Sequence, residues 1–385
     1  MTPAVMVFLS DLRGEAQMRA VKQIDKDTKQ REVKMRKKMV RRIWVCFIVL
    51  ACMSMILTVP GSVFAKKLTL RFAHSESTTN IRHDTVLFYA ERVKELSGGE
   101  IEIQIFPSGQ MGTHTQCQEM VSTGALDFYP TTAGLVSVFD PNRTQELIEL
   151  PYLFDNYSQA YAFMDTDFVS KIYEPLQQKG IYYLATWDNG FRHLTNSKRP
   201  VFKPADMDGL KVRVVKSEMS IKIVSALGAN AVPMAYSELY TALGSGVVDG
   251  QENPFMNIYA SKFYEVQKYM SVTKHQYSTL PIIFSKQRWD SLNESQRDII
   301  KKACLEAATY MRKQVGANED KQREAMEKAG MKVNDVPDLT PFRQAVAPVY
   351  EWARQKWGAD RVDEVLKKVE EIRAKYPEDG CYYGQ

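Results

Sequence analysis

The sequence predicts an α/β protein built as two lobes, and three observations carry the prediction. A strand–helix–strand unit opens near residue 68, the same grammar returns beyond residue 190, and an amphipathic stretch over 289–329 is long enough to brace both. The length agrees: at 385 residues the chain exceeds the roughly 250–300 at which a single hydrophobic core stops growing.

In the first unit, Leu68-Thr69-Leu70-Arg71-Phe72 alternates apolar and polar residues at the period of a half-buried strand. Over 85–96, Val86, Leu87, Tyr89, Ala90, Val93 and Leu96 recur at helical spacing, and Ser97-Gly98-Gly99 stops the helix. Ile101-Glu102-Ile103-Gln104-Ile105-Phe106 alternates strictly, completing a βαβ unit whose default crossover is right-handed. In the second lobe, 209–215 reads as a strand, 218–227 as a helix, 231–234 as a short strand and 237–243 as a helix. The stretch over 289–329 is apolar at Trp289, Leu292, Ile299, Ile300, Ala303, Ala307, Met311 and Val315, then turns polar where it leaves the core.

Ahead of the lobes stands an address label. Met35-Arg36-Lys37-Lys38-Met39-Val40-Arg41-Arg42 is a positive n-region, 43–59 is apolar, and Pro60-Gly61-Ser62-Val63-Phe64-Ala65 ends in a Val-x-Ala cleavage site, so 35–65 reads as a signal peptide for export. Residues 1–34, polar and mixed in charge, have no place in such a signal, and the expectation is that translation begins at Met35 and 1–34 is an upstream extension. The apolar run approaches the roughly 20 residues of a membrane span, which makes an uncleaved anchor the alternative. A lipoprotein box at Val49-Leu50-Ala51-Cys52 fits less well, because apolar residues continue past Cys52.

The chain holds 51 Lys+Arg against 46 Asp+Glu and residues 1–65 hold 12 against 5, so the body at 66–385 is near neutral, with 39 against 41. The basic balance therefore belongs to the leading segment and gives no reason to expect a nucleic-acid partner. Beyond the signal three cysteines remain, Cys117, Cys304 and Cys381, so at most one disulfide forms, and the sequence does not choose the pair. His114 and Cys117 stand at the spacing of a thiol–imidazole pair, but nothing nearby supplies an orienting third group. The five histidines lack metal-ligand spacing, and Gly244-Ser245-Gly246-Val247-Val248-Asp249-Gly250 lacks the glycine spacing and preceding strand of a dinucleotide loop. No cofactor and no metal are expected.

The recognition residues lie between Trp187 and His275. Arg192 and Arg213 occupy strand-like contexts; in Lys211-Val212-Arg213-Val214 the valines point one way and Arg213 the other. A guanidinium at a strand end holds a carboxylate through two parallel hydrogen bonds, which lysine does not imitate. Asn253 precedes Pro254, which steers it to extended geometry and fixes where its amide points.

These residues sit in blocks that closely resemble the DctP-like solute-binding proteins of tripartite ATP-independent periplasmic (TRAP) transporters. The blocks include Asn189-Gly190-Phe191-Arg192, Asp208-Gly209-Leu210-Lys211-Val212-Arg213-Val214, Pro233-Met234-Ala235-Tyr236-Ser237-Glu238-Leu239-Tyr240 and Val248-Asp249-Gly250-Gln251-Glu252-Asn253-Pro254, with Phe106-Pro107-Ser108-Gly109-Gln110-Met111-Gly112 in the first lobe. The resemblance covers essentially all of 66–385. It implies a bilobal periplasmic-binding-protein-like clamp, its lobes joined by crossing strands and a long bridging helix, with lobe I at 66–190 and 278–318 and lobe II at 191–277 and 319–385. It further implies that Arg213 grips a ligand carboxylate, assisted by Arg192 and Asn253, while Tyr236 packs on the ligand.

For the facing wall, His74, Glu76 and Asn80 follow the first strand, at the carboxyl end where open α/β sheets bind ligands, and Thr132 and Trp187 occupy similar edges. Thr131-Thr132 stands where sialic-acid binders of the family carry an acidic residue, which argues against sialic acid. The expectation is a monomeric, periplasmic, non-enzymatic binding subunit that captures a small organic acid, a C4-dicarboxylate, a uronate or similar, for small and large membrane subunits. A ligand sensor for a receptor is the other reading.

Overall fold

The computed structural model describes residues 3–56, 67–380 and 382–384. The chain divides into two compact units at 65/66. The first is a helix, α1 (Pro3–Ile56), and the expected cleavage site at Ala65 lies outside the described residues. Among the described residues no helix is long and apolar enough to cross a membrane.

The second unit opens with β1 (Leu68–Ala73), α2 (Ile81–Leu96) and β2 (Ile101–Phe106). The expected βαβ unit is present, with β1 and β2 parallel. Helix α2 starts four residues before the expected 85 because Asn80 caps it, its side chain accepting the Arg82 N–H. Next come α3 (His114–Ser122), β3 (Phe128–Pro130), α4 (Ala133–Val136), a 3₁₀ turn at Thr144–Glu149, α5 (Tyr157–Met164) and α6 (Asp167–Tyr173). The 16-residue strand β4 (Ile181–Asn196) leads to β5 (Lys211–Val214), α7 (Glu218–Ala226), β6 (Asn230–Pro233), α8 (Tyr236–Gly244), β7 (Gly250–Asn253) and α9 (Phe255–Ala260). The 17-residue strand β8 (Tyr269–Ser285) then returns antiparallel to β4.

The expected helix over 289–329 is two helices, α10 (Lys286–Ser291) and α11 (Glu294–Lys328). Asn293 breaks the run with a capping box, its side chain accepting the Gln296 N–H while the Gln296 side chain accepts the Asn293 N–H. The chain closes with β9 (Lys332–Asp335), α12 (Thr340–Ala345), α13 (Ala347–Trp357) and α14 (Ala359–Lys375).

The strands form one nine-stranded sheet in the order β2-β1-β3-β8-β4-β7-β5-β6, with β9 beside β8. The two lobes are thus the two ends of one sheet, and β4 and β8 are the strands that run from one to the other. Their pairing is interrupted at Asp188/Gly190 and Arg192/Leu194, so each bulge turns local side chains off the strand's simple alternation. Gly190 has φ +106, and a Cβ there would meet Pro254 Cβ at 3.2 Å. Helix α11 spans the molecule: Ile300 to Val315 pack with Phe72 and Trp187, while Met326 joins Leu239 and Phe255 in the core at the other end.

Candidate functional site

Between the two ends of the sheet lies a cleft of about 670 Å³. Three strands deliver side chains into it. Strand β5 buries Val212 and Val214 in the core and turns Arg213 to the opposite face, as the alternation expects. Strand β7 delivers Asn253 at its last residue, where Pro254 ends the ladder. Strand β4 delivers Arg192 and Asn189, the latter the extra residue of the Asp188/Gly190 bulge.

The two arginines differ in their partners. Arg192 forms an ion pair with Glu252: Nε and Nη2 donate to the carboxylate, with Nη2 at 2.9 Å from Oε1. Nη2 also reaches Asn253 Oδ1 at 3.3 Å, and Nη1 donates to Ser278 Oγ at 3.3 Å. Burial alone would raise the Glu252 carboxyl, but Arg192 and His275 outweigh it and hold it down at about 2. Among the described residues Arg213 makes no ion pair with a carboxylate; Glu252 and Glu238 act on it only at longer range. Arg213 Nε and Nη2 donate to Met234 O at 3.1 and 2.8 Å, and Nη1, buried, has no hydrogen-bond partner among the described residues. Burial lowers the Arg213 guanidinium to about 10, so it stays protonated at neutral pH.

Tyr236 lies beside it, with Arg213 Cζ 5.9 Å from the ring centroid and its hydroxyl 2.6 Å from Ser261 Oγ. Asn253 is held by Asn257 Nδ2 at 3.4 Å and by a bond to Gln251 Oε1. On the facing wall Glu76 pairs with Arg82 and accepts from Ser75 Oγ at 3.0 Å. Burial would raise Glu76, yet Arg82 offsets this and the carboxyl lies below its ordinary range. Thr132 lines the cleft and caps α4, accepting from Leu135 N at 3.3 Å.

Three expected wall residues stand elsewhere. Trp187 is fully buried, stacked on Phe72 at 5.9 Å with its indole N–H donated to Cys304 O at 3.0 Å. The bulge brings Asn189 to the cleft in its place. His74 sits behind Glu76, its Nε2 3.0 Å from His83 Nδ1, and burial lowers it to about 4. Asn80 is spent on capping α2 and on a 3.1 Å bond to Asn257 Oδ1. These two support the wall from outside the lining.

Arg82, His114 and Asn189 line the cleft without having been expected there. Arg82 left a signal: a cation in the first turn of a helix opposes the helix dipole and calls for a local anion, here Glu76. His114 Nδ1 is 2.8 Å from Tyr129 OH and its Nε2 3.2 Å from Ser75 Oγ, and burial lowers it to about 4. Cys117 instead packs in the core with its thiol toward Gly112 O at 3.7 Å, so the two are no nucleophile pair. Cys117 and Cys304 are free buried thiols, raised by burial to about 11 and about 12, and Cys381 lies outside the described residues. Among the described residues no group of His, Cys, Asp and Glu could hold a metal ion.

Comparison with known proteins agrees with this architecture. Residues 72–356 match the model of "bacterial extracellular solute-binding protein, family 7". The 2,3-diketo-L-gulonate-binding periplasmic protein of Escherichia coli K12 is 32% identical over 278 residues, covering 72% of this chain and 84% of the relative. The TRAP solute-binding protein of Polaromonas sp. JS666 bound to D-erythronate superposes with TM-score 0.75 at 33% identity, covering 78% of this chain and 98% of the other. The sugar-acid-binding protein of Advenella mimigardefordensis in complex with galactonate does so with TM-score 0.76 at 30% identity, covering 80% and 99%. With a two-ended sheet, a cleft between its ends and an arginine facing that cleft, the chain belongs to family 7 of the bacterial extracellular solute-binding proteins, the solute-binding proteins of TRAP transporters.

Proposed function

We propose that this protein captures a small organic acid in the periplasm by binding its carboxylate on Arg213, and delivers it unchanged to the membrane subunits of a TRAP transporter. The single observation that carries the reading is the contrast among the cleft arginines. Arg82 and Arg192 are paired with Glu76 and Glu252, whereas Arg213 is a buried cation with a free N–H and, among the described residues, no carboxylate in ion-pair contact, Glu252 and Glu238 acting on it only at longer range. A buried charge without a counter-ion is costly, and an anionic ligand supplies that counter-ion. Erythronate and galactonate, bound by the two similar proteins, are acids of this kind.

In this reading lobe I comprises 66–190 and 278–318, lobe II 191–277 and 319–385, and the mature chain begins at Lys66. N-terminal sequencing of the periplasmic protein checks the last point; a start upstream of Lys66 would refute it. Arg213 and Asn253 belong to lobe II and Glu76, Arg82 and Thr132 to lobe I, so a ligand held by the first set favours closure through its contacts with the second. Arg192 serves chiefly to hold Glu252 and Asn253 in place, with Nη1 donating to Ser278 Oγ.

Replacing Arg213 with Ala removes one partner of a desolvated charge pair, which costs about 2–5 kcal/mol, or roughly 30- to several-thousand-fold in affinity. Isothermal titration of the ligand-stripped protein reads this directly, and near-native affinity in R213A would remove the proposal.

A further inference from the structure

Asn257, buried in α9 at the edge of the cleft, bonds to three separate segments of the chain. Its Oδ1 accepts from Asn80 Nδ2 at 3.1 Å, and its Nδ2 donates to Asn189 Oδ1 at 3.1 Å and to Asn253 Oδ1 at 3.4 Å. These partners are the N-cap of α2, the bulge of β4 and the last residue of β7. In the division proposed above, one carboxamide therefore touches lobe I, a crossing strand and the ligand-side amide of lobe II. A second bond follows the same line, Ser77 Oγ in the loop before α2 donating to Ala260 O at the end of α9 at 3.4 Å.

The partners select this residue type. Asn80 presents a donor, because its Oδ1 is taken by the Arg82 N–H that it caps, whereas the Asn189 and Asn253 oxygens accept. A side chain between them has to accept on one side and donate twice on the other. Asn does both; an ionised Asp has no donor and Ser has one. The network also reaches the two paired arginines. Arg82 Nη2 donates to the same Asn189 oxygen at 2.9 Å and Arg192 Nη2 to the same Asn253 oxygen at 3.3 Å, so a cation of each lobe is joined through Asn257.

Asn80 and Asn257 stand on elements that separate when the lobes part, so their bond favours the closed form alone. We infer that Asn257 is a positioning residue for capture: it fixes Asn253, fastens α9 to the cap of α2 as the lobes meet, and thereby slows ligand release. The inference rests on the Arg213 reading above and adds to it the residue that holds the cleft shut.

The test is a double-mutant cycle on ligand-stripped protein, with erythronate and galactonate as probes and association and dissociation rates followed by stopped flow. Asn80→Ser keeps an oxygen to cap α2 but removes the donor to Asn257, and Asn257→Ala removes the other side. Each substitution is expected to speed dissociation about three- to tenfold and to leave association within about twofold, and in the double variant the two factors should not multiply. A merely structural role would lower the unfolding temperature of the ligand-free variants and leave dissociation from the folded protein unchanged; that result overturns the inference, as do factors that multiply. Where N257A does not fold, N80S alone decides by its dissociation rate. Multiplying factors beside an R213A that abolishes binding remove the role of Asn257 and leave the carboxylate grip standing. Near-native affinity in R213A, or binding of neither acid, removes the grip and the inference together.

Discussion

The Asp188 carboxylate is fully buried in β4, accepting the hydroxyls of Tyr161 at 2.6 Å and Tyr277 at 2.9 Å. Burial pushes it up to about 6, the two hydroxyls only partly countering the shift. A buried acid raised in this way binds a proton in the native state over a range where the unfolded chain has released it. Its contribution to stability is therefore fully present below about pH 4 and lost as pH rises to about 6. In Asp188→Asn this loss is absent, so the variant should gain on the parent protein across pH 4–6, by up to about 3 kcal/mol, and hold that gain above. Denaturant melts at pH 4.5 and 8 measure it; a difference that does not grow with pH would contradict the assignment. Arg213 shows what is legible at this scale. A single charge between Val212 and Val214 announces its face, whereas Arg82 hides in a helical turn and shows itself only once the nearby anion is located.

Elements differ in how openly the sequence declares them. The strand at Ile101–Phe106 matches its expectation residue for residue, because one face is buried and the other wet. Strands β4 and β8, which build the middle of the molecule, are buried on both faces over most of their length and carry no alternation to read. The resemblance implied crossing strands between the lobes but not their bounds. The break at Asn293 was present as an N-cap residue followed by Gln296, yet the apolar spacing on either side concealed it. Helix α11 is anchored to α5 by Arg312, which donates to both Asp165 oxygens at 2.7 and 2.8 Å and to Thr186 O at 3.2 Å. Tyr382 OH adds a third donor to Asp165 at 3.0 Å, tying the last described residues to the same point. Replacing Arg312 with Met leaves Asp165 without its counter-ion and should cost about 3 kcal/mol, since breaking a buried pair from one side is worse than never having it. Thermal unfolding checks this, and ligand affinity should change little because Arg312 does not line the cleft.

For the whole molecule, the pairing of β4 with β8 limits how the clamp moves. The two ends of the sheet cannot part without breaking ladders, so the opening that the proposed function requires is expected as bending at the bulges near Asp188 and Arg192. Small-angle scattering should report a smaller radius of gyration on adding a bound acid to the native protein, and no change with R213A at the same concentration. Contraction in R213A would separate closure from the carboxylate grip.

The cores have a further consequence. One hydrophobic cluster gathers Cys117 and Tyr129 with Val365 and Ile372, and another gathers Leu70 and Ile103 with Ile300 and Met311. A chain leaving the ribosome can finish neither until its final third has emerged. If the chain is exported as proposed above, it is expected to reach the translocation pore still slack, because the interleaving that makes the clamp one body also delays its folding.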